Sequence, residues 1–128
     1  ALGDPAVRGS VIEISGLSNG GWRALLAGAQ ALLAPSFAEG YGLPLAEALA
    51  AGVPALCSDI PAFREVGGAA ARFLDPRQPA DWAAQVAAFV GNAETRDEAR
   101  TAARRHPAVR PHDWFAAIDG FLDEIAAT

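Results

Sequence analysis

Two short apolar runs in the middle of the chain constrain its fold more than any other feature. Residues 31–34 read Ala-Leu-Leu-Ala, and residues 54–58 read Pro-Ala-Leu-Cys-Ser. Neither run alternates with polar residues, which is typical of strands covered on both faces by helices. The residues between and after the runs show helical spacing and helix stop signals such as Gly52. Strands that alternate with helices in this way predict parallel βαβ units.

The predicted order is strand, helix, strand, helix, strand, helix, strand and then further helices. The predicted strands are residues 11–14, 31–34, 54–58 and 71–74, of which the first is the β-branched run from Val11 to Ile14. Residues 15–21 are rich in Ser, Asn and Gly, which predicts a loop that ends in a helix N-cap. The predicted helices are residues 22–29, 44–51, 61–66, 80–90, 94–105 and 111–126.

Two of these helices have an apolar face, and we expect that of helix 111–126 to point inward. In helix 80–90 this face consists of Trp82, Val86, Phe89 and Val90. In helix 111–126 it consists of Trp114, Phe115, Ile118, Phe121, Leu122 and Ile125. All three tryptophans, Trp22 included, lie on apolar helix faces, so we interpret each as a core residue rather than a platform for a sugar.

Charge and hydropathy argue against several classes of protein. The 128 residues carry a net charge of −5, whereas a nucleic-acid-binding surface is usually basic. The chain has no apolar run near the ~18 residues of a membrane span, and its start shows no signal-peptide pattern. The single cysteine, Cys57, lies in an apolar run, so we expect a buried free thiol in a reducing compartment.

A glycine-rich segment before the second predicted helix contains the candidate site. Residues 36–47 read Ser-Phe-Ala-Glu-Gly-Tyr-Gly-Leu-Pro-Leu-Ala-Glu, so Glu39 and Glu47 are the ends of this hinge. In open α/β sheets, ligands bind beyond the carboxyl ends of the strands. A helix N-terminus favours phosphate, and Gly40 and Gly42 let the backbone approach an anion closely. Carboxylates on both sides of that anion suit an elongated ligand of polyol, phosphate and polyol, such as a nucleotide sugar.

Ordinary structural roles explain the same residues. Glu47 can complement the helix dipole, and Glu39 can be a solvated acid in a loop. Glycines with a proline before a helix are common turn chemistry. From the residues alone, a ligand-binding hinge and a purely structural one both remain open.

A longer stretch around the hinge resembles a known family. Residues 34–76 read APSFAEGYGLPLAEALAAGVPALCSDIPAFREVGGAAARFLDP and resemble the carboxy-terminal donor-binding domain of GT-B glycosyltransferases, most of all family four, the retaining group 1 enzymes. The hallmark of that family is Glu, seven residues and Glu, matched by Glu39 and Glu47, with Tyr41 in place of the common Phe. Residues 58–68 are most similar to mannosyltransferase-type members. The flanks agree, so the resemblance covers about residues 11–126.

The resemblance implies a parallel, Rossmann-like α/β sheet that forms the carboxy-terminal half of a GT-B fold. Glu39 would be the catalytic residue, contacting the hydroxyls of the donor sugar and stabilising charge, and Glu47 would hold the ribose. The backbone of residues 40–43 would line the sugar and the diphosphate, and two residues after the first strand would lie near the base. The implied donor-binding residues are Gly40, Tyr41, Gly42, Leu43, Glu47, Gly16 and Leu17.

The resemblance also implies the substrate and the mechanism. The donor would be a GDP- or UDP-sugar. This nucleotide sugar is a substrate, and no separate cofactor is expected. No metal is expected, since the sequence has no Asp-x-Asp, and both His106 and His112 lack ligand spacing. Transfer would follow a front-face mechanism, in which the leaving phosphate helps to deprotonate the acceptor.

Parts of the family pattern are missing from this sequence. The family places an Arg and Lys phosphate clamp, about three more strands and an acceptor-binding domain before the position of Ala1. We therefore expect residues 1–128 to be a single, partial donor-binding domain, truncated on its N-terminal side and inactive alone. Arg23 or Arg64 would be a substitute for the clamp, although a surface role is the favoured interpretation of each.

The expected partners are the nucleotide sugar and the acceptor domain, and no nucleic acid. The resemblance implies a cytoplasmic protein and leaves open both a homo-oligomer and a peripheral position at the inner face of a membrane, reached through the acceptor domain. The rival interpretations are a non-catalytic α/β interaction domain and another GT-B enzyme, such as a sugar-nucleotide epimerase or a phosphorylase.

Overall fold

Six helices and three strands form the part of the chain that the computed structural model describes, residues 4–107 and 111–127. The strands are β1 (Leu32–Ala34), β2 (Ala55–Ser58) and β3 (Ala71–Leu74). The helices are α1 (Asn19–Gly28), α2 (Leu43–Ala50), α3 (Pro61–Gly67), α4 (Pro79–Gly91), α5 (Ala93–Arg105) and α6 (Pro111–Ala126). The α/β order predicted from residue 22 onward is therefore confirmed.

The strands form a parallel sheet in the order β1-β2-β3. Leu33 pairs with Leu56 across the first ladder, and Leu56 pairs with Arg72 across the second. All four residues of β2 are buried, as expected for a central strand covered on both faces. Cys57 is among them and is a free thiol, which confirms the predicted burial.

Helix α2 lies between two apolar clusters and so anchors the candidate site to the core. Leu45 and Leu49 belong to the larger cluster, which also contains Phe63 of α3. Ala48 belongs to the smaller cluster, together with Leu26 of α1. Phe63 and Leu45 have no exposed surface, and burial of each such side chain stabilises the fold by about 1.5–3 kcal/mol.

The predicted strand at Val11–Ile14 is wrong. No strand is assigned to these residues in the described part of the chain, and Ile12 is 83% exposed. The Val11 N–H donates instead to the carbonyl of Val7, within a turn. A β-branched run suits a pleated, half-buried surface, but it forms a strand only when a neighbour satisfies its backbone groups.

The apolar faces of α4 and α6 are only partly buried in the described part of the chain. In α4, Trp82 and Val86 are half-buried and Phe89 is buried, but Val90 is 74% exposed because it lies about 100° around the helix from Phe89. In α6 the side chains predicted to be inward but found mostly exposed are Phe121, Leu122 and Ile125. Helical periodicity predicts that residues share a face, but not that another element covers it.

Ile118 of α6 is half-buried, whereas the side chains of His112, Trp114 and Phe115 lie outside the described residues. None of the helices in the described part of the chain is long and apolar enough to cross a membrane.

Candidate functional site

The hinge lies where the sequence places it, between the carboxyl end of β1 and the start of α2. Gly42 is the N-cap of α2 and adopts a left-handed conformation with φ of 84°. Its carbonyl accepts hydrogen bonds from the N–H groups of Leu45 and Ala46, both at 3.1 Å. Pro44 follows in the first turn, where it has no N–H to leave unpaired. The local sequence therefore turns the chain sharply from loop into helix.

The two glycines of the hinge have different surroundings. A Cβ on Gly42 would lie 3.0 Å from Cδ1 of Phe63, and the positive φ would also strain any other residue. A Cβ on Gly40 would meet nothing within 4 Å, and φ of Gly40 is not positive. The fold thus requires glycine at 42, whereas Gly40 borders open space on the side where a Cβ would be.

Four successive backbone N–H groups of the hinge, ahead of Pro44, have no described acceptor. Within residues 4–107 and 111–127, the N–H groups of residues 40–43 donate no hydrogen bond. The side chains of Tyr41 and Leu43 are also exposed, by 50% and 61%. Successive free N–H groups at a helix N-terminus carry partial positive charge, so this segment favours an anion electrostatically.

Glu39 is held by a residue that the sequence reasoning did not single out. The Ser36 hydroxyl donates to Oε1 of Glu39 at 2.7 Å, and both side chains are half-buried. This bond closes a short loop after β1 and fixes one oxygen of the carboxylate. The sequence carried no specific signal for this bond, because a Ser in a loop commonly bonds to nearby backbone groups rather than to a side chain.

Glu47 is held by Trp22 of α1. The indole Nε1 donates to Oε2 of Glu47 at 2.6 Å, across 25 positions of sequence. The Trp22 ring packs against the smaller apolar cluster, which confirms its prediction as a core residue. The sequence did not predict the hydrogen bond from its indole N–H, because helical spacing shows which face of α1 Trp22 occupies but not where the N–H points.

Gly16 and Leu17 do not follow a strand. They precede Ser18, the N-cap of α1, whose hydroxyl accepts from the N–H of Gly21 at 3.1 Å. Gly16 has φ of 68°, and both residues are exposed. Helix α1 thus begins three residues earlier than predicted. Gly16 and Leu17 are linked to the hinge through α1, which carries the contact between Trp22 and Glu47.

Arg64, considered above as a substitute phosphate clamp, is already paired. Its Nε and one terminal nitrogen donate to the two carboxylate oxygens of Asp59 at 2.7 and 2.8 Å. The guanidinium also lies 4.3 Å from the centre of the Phe73 ring. The hydrogen bond from Arg64 lowers the pKa of Asp59. This pairing fits a surface role, whereas Arg23 is exposed on α1 beside Trp22.

Two surface cavities of the described residues lie away from the hinge. One of ≈ 500 Å³ lies at the carboxyl end of α2, and its lining includes Gly52, Arg104 and His106. The other, of ≈ 640 Å³, runs along the acidic side of α5. None of residues 39–43 lines either of these two cavities. The described residues also contain no group of three or more His, Cys, Asp or Glu placed to hold a metal ion.

Comparisons with known proteins match most of the chain to a family and part of it to curated relatives. The model of the family described as glycosyl transferases group 1 matches residues 7–106. O-antigen chain mannosyltransferase B of Escherichia coli is 46% identical over 52 residues, covering 41% of this chain and 14% of that protein. O-antigen chain mannosyltransferase RfbU of Salmonella typhimurium is 43% identical over 54 residues, covering 42% and 15%.

A third relative is the serotype-specific mannosyltransferase WbdA of Escherichia coli. It is 38% identical over 78 residues, which cover 58% of this chain and 10% of that protein. The matched part of the chain thus spans 10% to 15% of the length of these three relatives. No solved structure matches the chain significantly.

Proposed function

This chain belongs to the group 1 glycosyl transferases, and we propose that it forms the donor-binding part of an enzyme that transfers mannose from a nucleotide sugar with retention of configuration. One observation carries the proposal. Two carboxylates, Glu39 and Glu47, flank a left-handed glycine whose neighbouring N–H groups are unpaired at a helix N-terminus. The choice of mannose is supported by the three relatives, each named a mannosyltransferase.

In the proposed complex the diphosphate lies against the N–H groups of residues 40–43. Positive charge at the start of α2 stabilises it, and the open space beside Gly40 lets it approach the backbone. The ribose hydroxyls donate to Glu47, and the hydroxyls of the sugar donate to Glu39. Gly16 and Leu17 contact the base. Tyr41 and Leu43 line the donor with their backbone.

The proposed reaction exchanges one bond for another on the same face of the sugar. The bond from C1 to the phosphate oxygen breaks, and a bond from C1 to the acceptor oxygen forms. The acceptor proton passes to the leaving phosphate, so no protein base is required. Positive charge develops on the sugar ring as the first bond breaks, and the carboxylate of Glu39 stabilises that charge. Neither a metal ion nor a cofactor takes part in this proposal.

The acceptor, in this proposal, is bound by a part of the protein outside residues 1–128. Any attachment to the inner face of a membrane, and any contact that makes a homo-oligomer, is assigned to that part as well. A cytoplasmic location is supported by the free, buried thiol of Cys57, since disulfides are the rule in oxidising compartments.

Transfer by the complete protein tests the proposal. The purified protein is incubated with labelled GDP-mannose or UDP-glucose and a lipid and polysaccharide extract of its host as acceptor. We expect label from GDP-mannose to enter the extract, and the anomeric configuration of the product, read by NMR, to match that of the donor. The Glu39→Gln variant is the control for contaminating activity. Absence of transfer together with absence of GDP and UDP binding would contradict the proposal.

A further inference from the structure

The indole of Trp22 is hydrogen-bonded to the candidate site. Its Nε1 lies 2.6 Å from Oε2 of Glu47, on the surface of the neighbouring helix. We propose that Trp22 is a positioning residue, which holds the carboxylate of Glu47 in the orientation that receives the ribose of the donor. This inference rests on the proposed function, because it requires Glu47 to have a ligand.

The direction of the Trp22 side chain is set by packing. The ring packs against the cluster formed by Leu26, Ala48 and Val53, of which Ala48 directly follows Glu47 in sequence. The start of α1 is fixed as well, since the N–H of Trp22 donates to the carbonyl of Ser18 at 2.9 Å. The position of the indole N–H is therefore fixed by the packing of the Trp22 ring against this cluster.

Glu47 has no comparable support of its own. It is exposed on α2, and an exposed Glu side chain samples many rotamers that binding must restrict. The bond from Trp22 selects one of these rotamers before a ligand arrives. It also engages Oε2, so that Oε1 is the oxygen that is left without a described protein donor. Preorganisation of this kind increases affinity by lowering the entropy lost on binding.

A purely structural bond between α1 and α2 would have other consequences. It would stabilise the fold, and its loss would change the free energy of unfolding without changing the affinity for a nucleotide. A positioning bond acts through Glu47, so its effect on affinity vanishes once Glu47 is gone. A double-mutant cycle separates the two possibilities.

The experiment uses the complete protein, with GDP and UDP as probes in calorimetry. Trp22→Phe keeps the ring and deletes the N–H. Trp82→Phe is the matched control, because Trp82 is also half-buried and its Nε1 donates to the carbonyl of Asp75 at 3.0 Å. We expect Trp22→Phe to weaken binding of the preferred nucleotide about tenfold and to raise the donor KM with kcat unchanged. Trp82→Phe should leave both quantities as they are.

The cycle decides the outcome. In a Glu47→Ala background, Trp22→Phe should have no further effect on affinity. An equal tenfold loss in that background would overturn the inference, because Trp22 would then affect binding by a route that does not involve Glu47. Unchanged affinity in Trp22→Phe, alongside a loss in Glu47→Ala, would overturn it too and leave the proposed function intact. If the wild type binds neither GDP nor UDP, both fall together.

A second measurement covers the case in which Trp22→Phe does not fold. The indole N–H resonance of Trp22 is identified in the wild-type protein as the one that moves in Glu47→Ala. Addition of the preferred nucleotide should shift it, because Glu47 then shares its charge with a second donor. No shift at saturation would overturn the inference.

Discussion

The ring of Phe63 occupies the space that a side chain on Gly42 would need. A Cβ at that position would lie 3.0 Å from Cδ1 and 3.3 Å from Cε1 of the ring, with Cγ2 of Val66 at 3.8 Å. Phe63 has no exposed surface, so it cannot move aside without disturbing the larger apolar cluster. The shape of the hinge is thus fixed by α3 as well as by its own sequence.

The two hinge glycines should respond differently to replacement by alanine. We expect Gly42→Ala to lower the free energy of unfolding by about 1–3 kcal/mol, because it adds a Cβ against Phe63 at a positive φ. Gly40→Ala should change it by less than about 0.5 kcal/mol, since its Cβ meets open space. Denaturant unfolding of the complete protein measures both.

Gly40→Ala should nevertheless weaken binding of GDP or UDP, because the added methyl group enters the space that the proposed diphosphate occupies. The same variant thus separates a structural hinge from a ligand-binding one. Normal stability with normal affinity would place the diphosphate elsewhere on this surface.

Much of the fold follows from local patterns in the sequence. The strand at residues 71–74 has the predicted bounds, and α2 and α5 each lie within one residue of theirs. Helix α2 combines an apolar sequence with Pro44 near its start and Gly52 after its end, and Asn92 caps the start of α5, so local and tertiary preferences agree in these elements. Val11–Ile14 has the β-branched pattern but no pairing strand in the described structure. Strand pairing depends on tertiary structure, so a local sequence pattern cannot predict it.

The sequence predicted the backbone conformation of the candidate site, but not the hydrogen-bond partners of its two acids. The spacing of Gly, Pro and Glu predicts a turn into a helix with an acid on each side, as Gly42 shows. The partners of the acids, Ser36 and Trp22, depend on the directions of side chains. The Trp22 side chain takes its direction from the packing of α1 against α2, and the spacing of residues in the sequence does not show that packing.

Replacement of Glu47 should weaken binding of the nucleotide. We expect Glu47→Ala in the complete protein to reduce the affinity for GDP or UDP by about 1.5–3 kcal/mol, the value of a hydrogen bond to a charged group. Calorimetry measures the loss, and Glu98→Ala is the matched control, because Glu98 is an exposed helical acid on α5. Equal affinities of wild type and Glu47→Ala would remove Glu47 from the site.

The thiol of Cys57 should make the fold sensitive to alkali. Burial raises its pKa from 9.0 to about 12, although the charge of Arg64 opposes this shift. Between these two pH values the unfolded thiol has lost its proton and the folded thiol has kept it. The contribution of this group to stability is therefore complete below about pH 9 and falls as the pH rises toward about 12.

Cys57→Ser tests this dependence, because serine has a similar size and does not titrate in that range. Stability measured from pH 8 to 11 should decline less steeply in the variant than in the wild type. In the folded protein at pH 8 the Cys57 thiol should also resist alkylation, since the thiolate is the reactive form. If the stability of the two proteins declined equally with pH, the pKa of the Cys57 thiol would be the same in the folded and the unfolded protein, which would contradict the prediction.

Glu39 should matter to the rate more than to the affinity. Positive charge appears on the sugar only as its bond to phosphate breaks, so a carboxylate beside the ring stabilises the transition state and not the bound donor. We expect Glu39→Gln in the complete protein to lower kcat on the order of 100-fold, with the affinity for the donor nearly unchanged. Ser36→Ala should lower kcat by a smaller factor, because it frees the carboxylate from its 2.7 Å hydrogen bond and keeps its charge.

Steady-state kinetics of Glu39→Gln and Glu47→Ala, side by side, distinguish the two acids. Glu47 is proposed to hold the ribose equally in the ground state and the transition state, so its loss should raise KM and leave kcat at saturation. Glu98→Gln controls for the general effect of removing a surface charge. The two acids would share one role, as anchors of the donor, if both variants raised KM and kept kcat. We expect instead that Glu39 alters kcat and Glu47 alters KM, because in the proposed complex the two acids lie on either side of the phosphate and the sugar lies on the side of Glu39.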